Sequence, residues 1–310
     1  MTKRIAILFA GQGAQTVGMG KDLAAAYPAA AQLFAEADSV LGRSLSGVTF
    51  DGPEADLVKT ANCQPALYVH GLACLAALRA RIGDVPAQFA AGLSLGEFTA
   101  HAAAGTFGFA DGLRLVAERG RLMQLACEST IGSMAAMIGG EEADVRALAE
   151  ESGVDVANFN SPGQIVLSGS MEGIDKAVAG AKDKGIRKAV KLNVAGAYHS
   201  RLMQSAADAL APTLAATPMK APGFPVIANF TARAVNSPEE IRAALAAQVT
   251  GSVRWTETIE HLVDVEKVEV FLELGPGGII AGLVKRTRKD VPVISITDCA
   301  TLDAAVAQFA

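Results

Sequence analysis

The pentapeptide Gly92-Leu93-Ser94-Leu95-Gly96 decides how the fold of this chain is interpreted. It follows a short apolar run, Phe89-Ala90-Ala91, and precedes a helix-compatible segment from Glu97 to Ala104. A sharp turn between a strand and a helix exposes a serine hydroxyl at its apex, and small flanking residues let neighbouring backbone pass close by. The backbone N–H of Leu95 would then lie free at a helix N-terminus, where it can face an oxyanion. An ordinary glycine-bounded turn is the alternative interpretation.

Length, composition and charge limit the classes of protein to which the chain can belong. Its 310 residues are enough for one large α/β domain with an inserted subdomain, or for two domains. Although 51% of the residues are hydrophobic, no uninterrupted apolar run reaches the roughly 18 residues of a membrane span. A net charge of −5 argues against nucleic acid as the main partner. We therefore expect neither nucleic acid nor a membrane among its partners.

Cysteine usage and the first residues indicate a cytoplasmic protein. The four cysteines are scattered without C-x-x-C spacing, which argues against a disulfide framework and against a structural zinc site. The apolar run 5–10 breaks into glycine-rich sequence rather than into the cleavage site of a signal peptide. We predict no metal and no cofactor, and we expect a monomer.

The turn after the first predicted strand, Gly11-Gln12-Gly13-Ala14-Gln15, is not a dinucleotide-binding fingerprint, which would require glycine where Thr16 stands. A glycine-rich turn can instead present backbone N–H groups. An oxyanion hole needs a second donor besides Leu95, and Gln12 is the candidate. A loop residue that caps its own turn is the alternative for Gln12.

Hydrophobic periodicity predicts alternating strands and helices, with a change of character between Ser133 and Gly196. In that stretch the strands and helices follow the order β-α-β-β-α-β of a ferredoxin-like unit, which reads as a compact insertion. Its predicted strands are 134–138, 154–158, 164–168 and 189–194, and its helices are 141–152 and 174–184. Outside it we predict helices at 21–41, from Gln64 to about Arg81, and at 111–127, and strands at 4–10, 225–229 and 268–274.

His199 is the histidine best placed for chemistry, in a glycine-led loop before a predicted helix. The positive end of a helix dipole lowers the pKa of a nearby histidine and keeps it neutral, as a general base must be. His101 lies about 10 Å down the helix from Ser94, at 1.5 Å per residue. A capping or packing role is the alternative for His199. Arg119 belongs to neither a plain apolar nor a plain charged helix face, and alone it would be a solvated residue.

Together the motifs resemble the malonyl-CoA:acyl carrier protein transacylases of bacterial fatty acid synthesis, over almost the whole chain. Each motif is weak alone, but the ordered set is specific. The residues that carry the resemblance are Gly11-Gln12-Gly13-Ala14-Gln15, Gln64-Pro65-Ala66-Leu67, Gly92-Leu93-Ser94-Leu95-Gly96-Glu97, Arg119-Gly120, Asn158-Phe159-Asn160-Ser161-Pro162-Gly163-Gln164, His199-Ser200 and Glu273-Leu274-Gly275-Pro276-Gly277.

The resemblance implies an α/β fold in which a hydrolase-like parallel-sheet core, residues 1–131 and 197–310, carries an inserted ferredoxin-like subdomain at 132–196. It also implies a role for each residue of the site. These are Ser94 as nucleophile, His199 as base, Arg119 as ligand of the malonyl carboxylate, the backbone N–H groups of Gln12 and Leu95 as oxyanion hole, the backbone carbonyl of Gln248 as the group that orients the histidine, and Gln64, Asn160, Gln164 and Tyr198 as further residues around the substrate.

Two positions depart from the family pattern or vary within it. Leu93 stands where these enzymes usually have histidine, so any hydrogen bond of that histidine is missing. The residue before the catalytic histidine varies with acyl selectivity in the family, and the aromatic Tyr198 suits malonyl better than a branched acyl group.

The activity implied is transfer of malonyl from malonyl-CoA to the pantetheine thiol of acyl carrier protein, through a malonyl-serine intermediate in a ping-pong reaction. Three alternatives stay open: a stand-alone acyltransferase of a polyketide pathway, an α/β-hydrolase-type esterase, and a non-catalytic carrier-docking protein. An acidic carrier protein must dock through a local basic patch, because this chain is net negative. Two stretches offer one, namely Lys182, Lys184, Arg187, Lys188 and Lys191, and Lys285, Arg286, Arg288 and Lys289.

Overall fold

The computed structural model describes residues 3–309, whose strands form two separate sheets. The strands are β1 (Ile5–Phe9), β2 (Ala87–Gly92), β3 (Gly132–Ile138), β4 (Asp155–Ser161), β5 (Gln164–Ser170), β6 (Lys188–Lys191), β7 (Val226–Ile227), β8 (Ala234–Val235), β9 (Val270–Leu274) and β10 (Val293–Ile296).

Helices cover both sheets and join most of the strands. The α-helices are α1 (Lys21–Ala26), α2 (Pro28–Leu41), α3 (Leu45–Asp51), α4 (Glu54–Leu57), α5 (Thr60–Ile82), α6 (Leu95–Ala103), α7 (Phe109–Ser129), α8 (Glu142–Ser152), α9 (Met171–Gly180), α10 (Gln204–Ala216), α11 (Pro238–Thr250), α12 (Trp255–Glu260), α13 (Ile279–Thr287) and α14 (Cys299–Val306). Short turns of 3-10 or π-helix occur at Lys182–Lys184, Arg201–Met203 and His261–Val265. None of the helices between residues 3 and 309 combines the length and the apolar character needed to cross a membrane.

The larger sheet has the strand order β10-β9-β1-β2-β7-β8, and its strands are parallel except for the antiparallel pair β7–β8. Strand β1 is buried along its whole length, which explains its uninterrupted apolar sequence, since a parallel strand covered on both faces needs no polar side. Phe9 at the end of β1 lies beside Gly92 at the end of β2. The loops that follow these two strands therefore emerge next to each other at the carboxyl edge of the sheet, where open α/β folds place their ligands.

The smaller sheet has the order β4-β5-β3-β6, with antiparallel neighbours throughout. One face packs against α8 and α9 through residues such as Met137 and Leu167, which form a separate hydrophobic core. Residues of the other face, such as Met134 and Val166, belong to the main core. The prediction of an α/β fold with a parallel-sheet core and a separate antiparallel sheet is confirmed. The proposed domain limits, 1–131 with 197–310 and 132–196, stay a prediction.

Two differences between predicted and observed helices occur at prolines. The helix predicted over 21–41 is divided into α1 and α2, because Tyr27 is extended at φ −123° and ψ 111° and Pro28 starts the second helix. Helix α5 begins at Thr60 rather than at Gln64, so that Pro65 lies inside it. Proline has no N–H to donate to the Ala61 carbonyl, which accepts a hydrogen bond from Arg43 Nη2 at 2.9 Å instead.

Two predicted strands are shorter than expected. The strand predicted at 189–194 ends at Lys191, and the residues after it line the cavity described below. The strand predicted at 225–229 is only Val226–Ile227, and Asn229 beyond it contacts the serine turn.

Candidate active site

Ser94 stands at a strained turn between β2 and α6. Its backbone has φ 53° and ψ −103°, a conformation that is costly for a residue with a side chain. Gly92 is required for the turn to close, because a Cβ atom there would lie 1.9 Å from the carbonyl carbon of Gly96. Asn229 holds the turn from outside: it accepts a hydrogen bond from the Ser94 N–H at 2.6 Å and donates to the Gly92 carbonyl at 2.8 Å. The turn thus directs the serine hydroxyl into a cavity.

His199 lies beside this hydroxyl, with 2.8 Å between Ser94 Oγ and His199 Nε2. On the other side of the ring, Nδ1 is 2.8 Å from the backbone carbonyl of Gln248. A carbonyl can only accept, so Nδ1 carries the hydrogen and Nε2 is left free to accept the serine proton. This geometry suits a nucleophile paired with an oriented base, with a backbone carbonyl in the position that an acidic residue would take.

Burial lowers the pKa of His199 to about 4, and the positive charge of Arg119 acts in the same direction, while hydrogen bonds to backbone carbonyls oppose them. The expected cause, the dipole of a following helix, is not the main one. The element after His199 is the short 3-10 turn Arg201–Met203, not the helix itself. The result is nevertheless a histidine that is neutral at pH 7 and ready to accept a proton.

Arg119 is buried on α7 rather than solvated. Its guanidinium donates to Gln64 Oε1 at 2.7 Å, to Gln248 Oε1 at 2.9 Å and to Ser94 Oγ at 3.1 Å, and it lies over the ring of Phe98 at 5.1 Å. These acceptors are uncharged, and Arg119 Nε has no hydrogen-bond partner within residues 3–309. Burial lowers the pKa of Arg119 to about 10, so the group stays charged at neutral pH. A buried cation with unused donors beside a nucleophile is suited to bind an anion.

The backbone N–H groups of Gln12 and Leu95 have no acceptor among the hydrogen bonds that the described part of the chain makes. The glycine loop lies directly against the serine turn, since a Cβ atom on Gly11 would approach the Leu93 carbonyl oxygen to 2.4 Å. The Gln12 side chain points towards Tyr198, with 3.4 Å between Gln12 Nε2 and the tyrosine hydroxyl. Both N–H groups are thus available for an oxyanion.

A cavity of about 480 Å³ lies between the carboxyl edge of the larger sheet and the smaller sheet. Of the residues predicted for the site, Gln12, Gln64, Ser94, Asn160, Tyr198 and His199 line it. Leu93 lines it as well. Tyr198 is fixed by a 2.6 Å hydrogen bond between its hydroxyl and that of Thr60. The structure does not bring Gln164 to this cavity, because its side chain accepts a hydrogen bond from Arg286.

Two residues to which the sequence interpretation gave no role complete the arrangement. Glu97 is fully buried on α6 and accepts hydrogen bonds from Gln248 Nε2 at 2.6 Å and from the Asn229 N–H at 3.0 Å. Asn229 holds the serine turn, as described above. Glu97 lies one helical turn after Ser94, and this spacing could have suggested from sequence alone that Glu97 is near the site. Nothing in the sequence around Asn229 indicates its contact with the serine turn. Within residues 3–309, no cluster of three or more potential ligands is arranged to hold a metal ion.

Comparison with known proteins identifies the family to which the chain is similar. The acyl transferase domain family matches residues 7–305. The malonyl CoA-acyl carrier protein transacylase of Bacillus subtilis (strain 168) is 39% identical, with 98% of this chain and 96% of the relative covered. The crystal structure of an acyl-carrier-protein-S-malonyltransferase from Bartonella henselae superimposes with a TM-score of 0.94 at 39% identity, over 98% of this chain and 99% of the other. A malonyl-transacylase in complex with a type II PKS acyl-carrier protein gives 0.94 at 38% identity, with the same coverage of the two chains.

Proposed function

The chain belongs to the acyl transferase family, and from this premise we propose that it transfers a malonyl group from malonyl-CoA to the pantetheine thiol of acyl carrier protein in fatty acid synthesis. Ser94 and His199 supply the chemistry, so the proposed reaction needs no cofactor. We place the enzyme in the cytoplasm, because its four cysteines are all free thiols.

In the first half-reaction, His199 Nε2 accepts the hydroxyl proton of Ser94 while Oγ bonds to the thioester carbon. The negative charge that develops on the carbonyl oxygen is stabilised by the N–H groups of Gln12 and Leu95. When this intermediate collapses, the carbon–sulfur bond breaks, and the coenzyme A sulfur leaves with the proton held by His199. A malonyl ester of Ser94 remains.

The second half-reaction runs the same steps with a different thiol. His199 accepts the proton of the pantetheine thiol, and the sulfur attacks the ester carbon. The Ser94 oxygen then leaves and regains a proton from His199. Throughout, Arg119 holds the malonyl carboxylate through charge-assisted hydrogen bonds, which orients a small and otherwise mobile acyl group.

The observation that carries this proposal is the buried Arg119, with its unused donors, 3.1 Å from the Ser94 hydroxyl. An ordinary ester has no carboxylate that would require such a cation. A hydrolase of similar fold also orients its histidine with aspartate or glutamate, whereas Nδ1 of His199 meets the carbonyl of Gln248. The esterase alternative is therefore less well supported, and the intact Ser94–His199 pair weighs against a non-catalytic docking protein.

Intact-mass measurement tests the proposed function. After mixing with malonyl-CoA, the enzyme should gain the mass of one malonyl group and release free coenzyme A. Addition of phosphopantetheinylated acyl carrier protein should transfer the malonyl group to the carrier. Over the same time without the carrier, hydrolysis should remove little of the malonyl group from the enzyme. Rapid discharge by water without the carrier would indicate an esterase instead.

A polyketide pathway is the second candidate, favoured by the similarity to the malonyl-transacylase in complex with a type II PKS acyl-carrier protein. Both pathways use the same transfer chemistry and differ in the carrier protein. The rate of malonyl transfer to fatty acid carrier protein and to polyketide carrier protein of the same organism, measured side by side, distinguishes them.

Replacing Arg119 by alanine should change the acyl selectivity of the enzyme. We expect acylation by malonyl-CoA to fall on the order of 10²-fold, since a hydrogen-bonded charge pair contributes about 1.5–3 kcal/mol. Acetyl-CoA leaves Arg119 unpaired in the natural enzyme, so its relative rate should rise in Arg119→Ala. Single-turnover acylation with both donors measures this.

Arg121→Ala is the matched control, because Arg121 lies on the same helix with its side chain exposed and paired with Glu118. It should leave the malonyl-to-acetyl ratio unchanged. Equal losses on both donors in Arg119→Ala would assign Arg119 a structural role.

For docking of the carrier protein, the structure favours the basic stretch around the end of α13. The turn Lys182–Lys184 follows α9, which covers the face of the smaller sheet turned away from the cavity. Met134 and Val166 on the opposite face line the cavity. Arg286 on α13 reaches Gln164, near the cavity-lining Asn160. The positive charges at the end of α13 thus lie closer to the cavity than those of Lys182 and Lys184.

Reversing the charges of Lys285 and Lys289 to glutamate should raise the KM for carrier protein by roughly threefold or more, because exposed charges steer association. Acylation of Ser94 by malonyl-CoA should stay nearly unchanged, and the defect should shrink at high salt. The control is the double reversal of Lys182 and Lys184. An unchanged KM for the α13 variant, or an equal rise in the control, would contradict this docking site.

A further inference from the structure

We propose that Glu97 is a positioning residue: its carboxylate fixes the side-chain amide of Gln248 in the orientation that aims Arg119 at the acyl group on Ser94. The inference rests on the proposed function, in which Arg119 binds the malonyl carboxylate. It concerns a buried acid that takes no part in the acyl-transfer steps.

Glu97 does not form the helix cap that its position in the sequence favours. Ser94-x-x-Glu97 at the start of α6 has the spacing of a capping box, in which the two side chains would bond to the first turn of the helix. In the structure Ser94 makes no such cap, and its hydroxyl meets His199 instead. The Glu97 side chain is likewise directed inwards, and Oε2 accepts from Gln248 Nε2 at 2.6 Å and from the Asn229 N–H at 3.0 Å.

The hydrogen bonds of Gln248 leave its amide only one orientation. An ionised carboxylate only accepts, so the NH₂ group must face Glu97, and it also donates to the Ser94 carbonyl at 2.9 Å. The amide oxygen then faces Arg119, from which it accepts at 2.9 Å. A flipped amide would place its NH₂ group against the guanidinium and its oxygen against the carboxylate, losing both hydrogen bonds.

The orientation of Gln248 matters because this residue contacts Ser94, His199 and Arg119. Its backbone carbonyl orients His199, and its side chain contacts both Arg119 and the Ser94 backbone. Of the two acceptors that the amide nitrogen contacts, Glu97 Oε2 at 2.6 Å is closer than the Ser94 carbonyl at 2.9 Å. Burial raises the pKa of Glu97 to about 7, against the opposing effect of its hydrogen bonds and of Arg119, so the ionised form prevails in mildly alkaline buffer.

Two conservative variants show whether Gln248 requires a hydrogen-bond acceptor at a fixed position or only a negative charge nearby. Glu97→Gln keeps the length and one acceptor oxygen but loses the charge, whereas Glu97→Asp keeps the charge and withdraws the acceptor by one methylene. Measured at about pH 8, where Glu97 is ionised, Glu97→Gln should keep the natural ratio of malonyl to acetyl acylation rates within about threefold. Glu97→Asp should lower that ratio about tenfold, the cost of one lost buried hydrogen bond.

Glu273→Gln is the matched control, since Glu273 is another buried carboxylate of the core, bonded to Ser295 and to the Ile280 N–H away from the cavity. It should leave the ratio unchanged. The ratio is informative because a general loss of folding lowers both rates alike, and thermal unfolding of each variant reports that loss separately.

The inference is overturned if Glu97→Asp keeps the ratio, if it lowers both rates by the same factor, or if Glu97→Gln falls as far as Glu97→Asp. If the natural enzyme itself forms no malonyl ester, the proposed function fails. Formation of that ester by the natural enzyme therefore has to be shown first, and the variants then test Glu97 alone.

Discussion

Replacing Ser94 by alanine is expected to abolish the malonyl-enzyme and to lower acyl transfer by several orders of magnitude. On the proposed function the Ser94 oxygen is the atom that becomes acylated, and without a covalent nucleophile only the contribution of substrate binding is left. Intact-mass measurement after mixing Ser94→Ala with malonyl-CoA is the direct check.

The control for Ser94→Ala is Ser129→Ala, which removes a hydroxyl at the end of α7 that bonds only to the local Ala126 carbonyl. That variant should gain the malonyl mass as the natural enzyme does. A mass gain in Ser94→Ala would show that another group carries the acyl chain.

Replacing His199 by alanine should slow acylation of Ser94 by at least ~10²-fold, the usual contribution of a positioned general base. The serine hydroxyl would then have to lose its proton to water, while Arg119 remains in place. Stopped-flow release of coenzyme A measures the rate. His261→Ala, which changes a histidine that contacts Arg233 and does not line the cavity, should have no such effect, and an unaffected His199→Ala would point to another base.

We expect the same residue to set the pH dependence of the natural enzyme. Because the folded-state pKa of His199 is lowered to about 4, the neutral and active form prevails above that value. The acylation rate should therefore fall as the pH drops through about 4, where His199 becomes protonated. A midpoint near the ordinary histidine pKa would show that the ring is more exposed in solution than in the structure.

The sequence predicted those parts of the structure that are determined by residues close together in the chain. The serine turn follows from two glycines and an apolar strand, and the alternation of strands and helices in 132–196 follows from short-range periodicity. The family resemblance then named Ser94, His199 and Arg119 together, and the structure places His199 and Arg119 each within hydrogen-bond distance of Ser94 Oγ.

The remaining features depend on contacts between residues far apart in sequence. Glu97 meets Asn229 and Gln248 across 132 and 151 positions, so no pattern around any of these residues records the contact. Helix α5 extends back past Pro65, and the Ala61 carbonyl, which the proline leaves without its helical donor, accepts a hydrogen bond from Arg43 in the loop between α2 and α3. Gln164 belongs to a family motif, but its side chain accepts a hydrogen bond from Arg286 and does not line the cavity.

The smaller sheet shares the main hydrophobic core through Met134, Ala136 and Val166, although it has a core of its own on the other face. Tilting it away from the larger sheet would open voids in that shared core, at about 24 cal/mol for each Å³. We therefore expect the cavity between the sheets to keep its width while thioesters enter and leave. On the proposed function, coenzyme A and the carrier's pantetheine arm would use the same space, so we expect an excess of unloaded carrier protein to occupy the free enzyme unproductively and turnover to pass through a maximum as the carrier concentration rises.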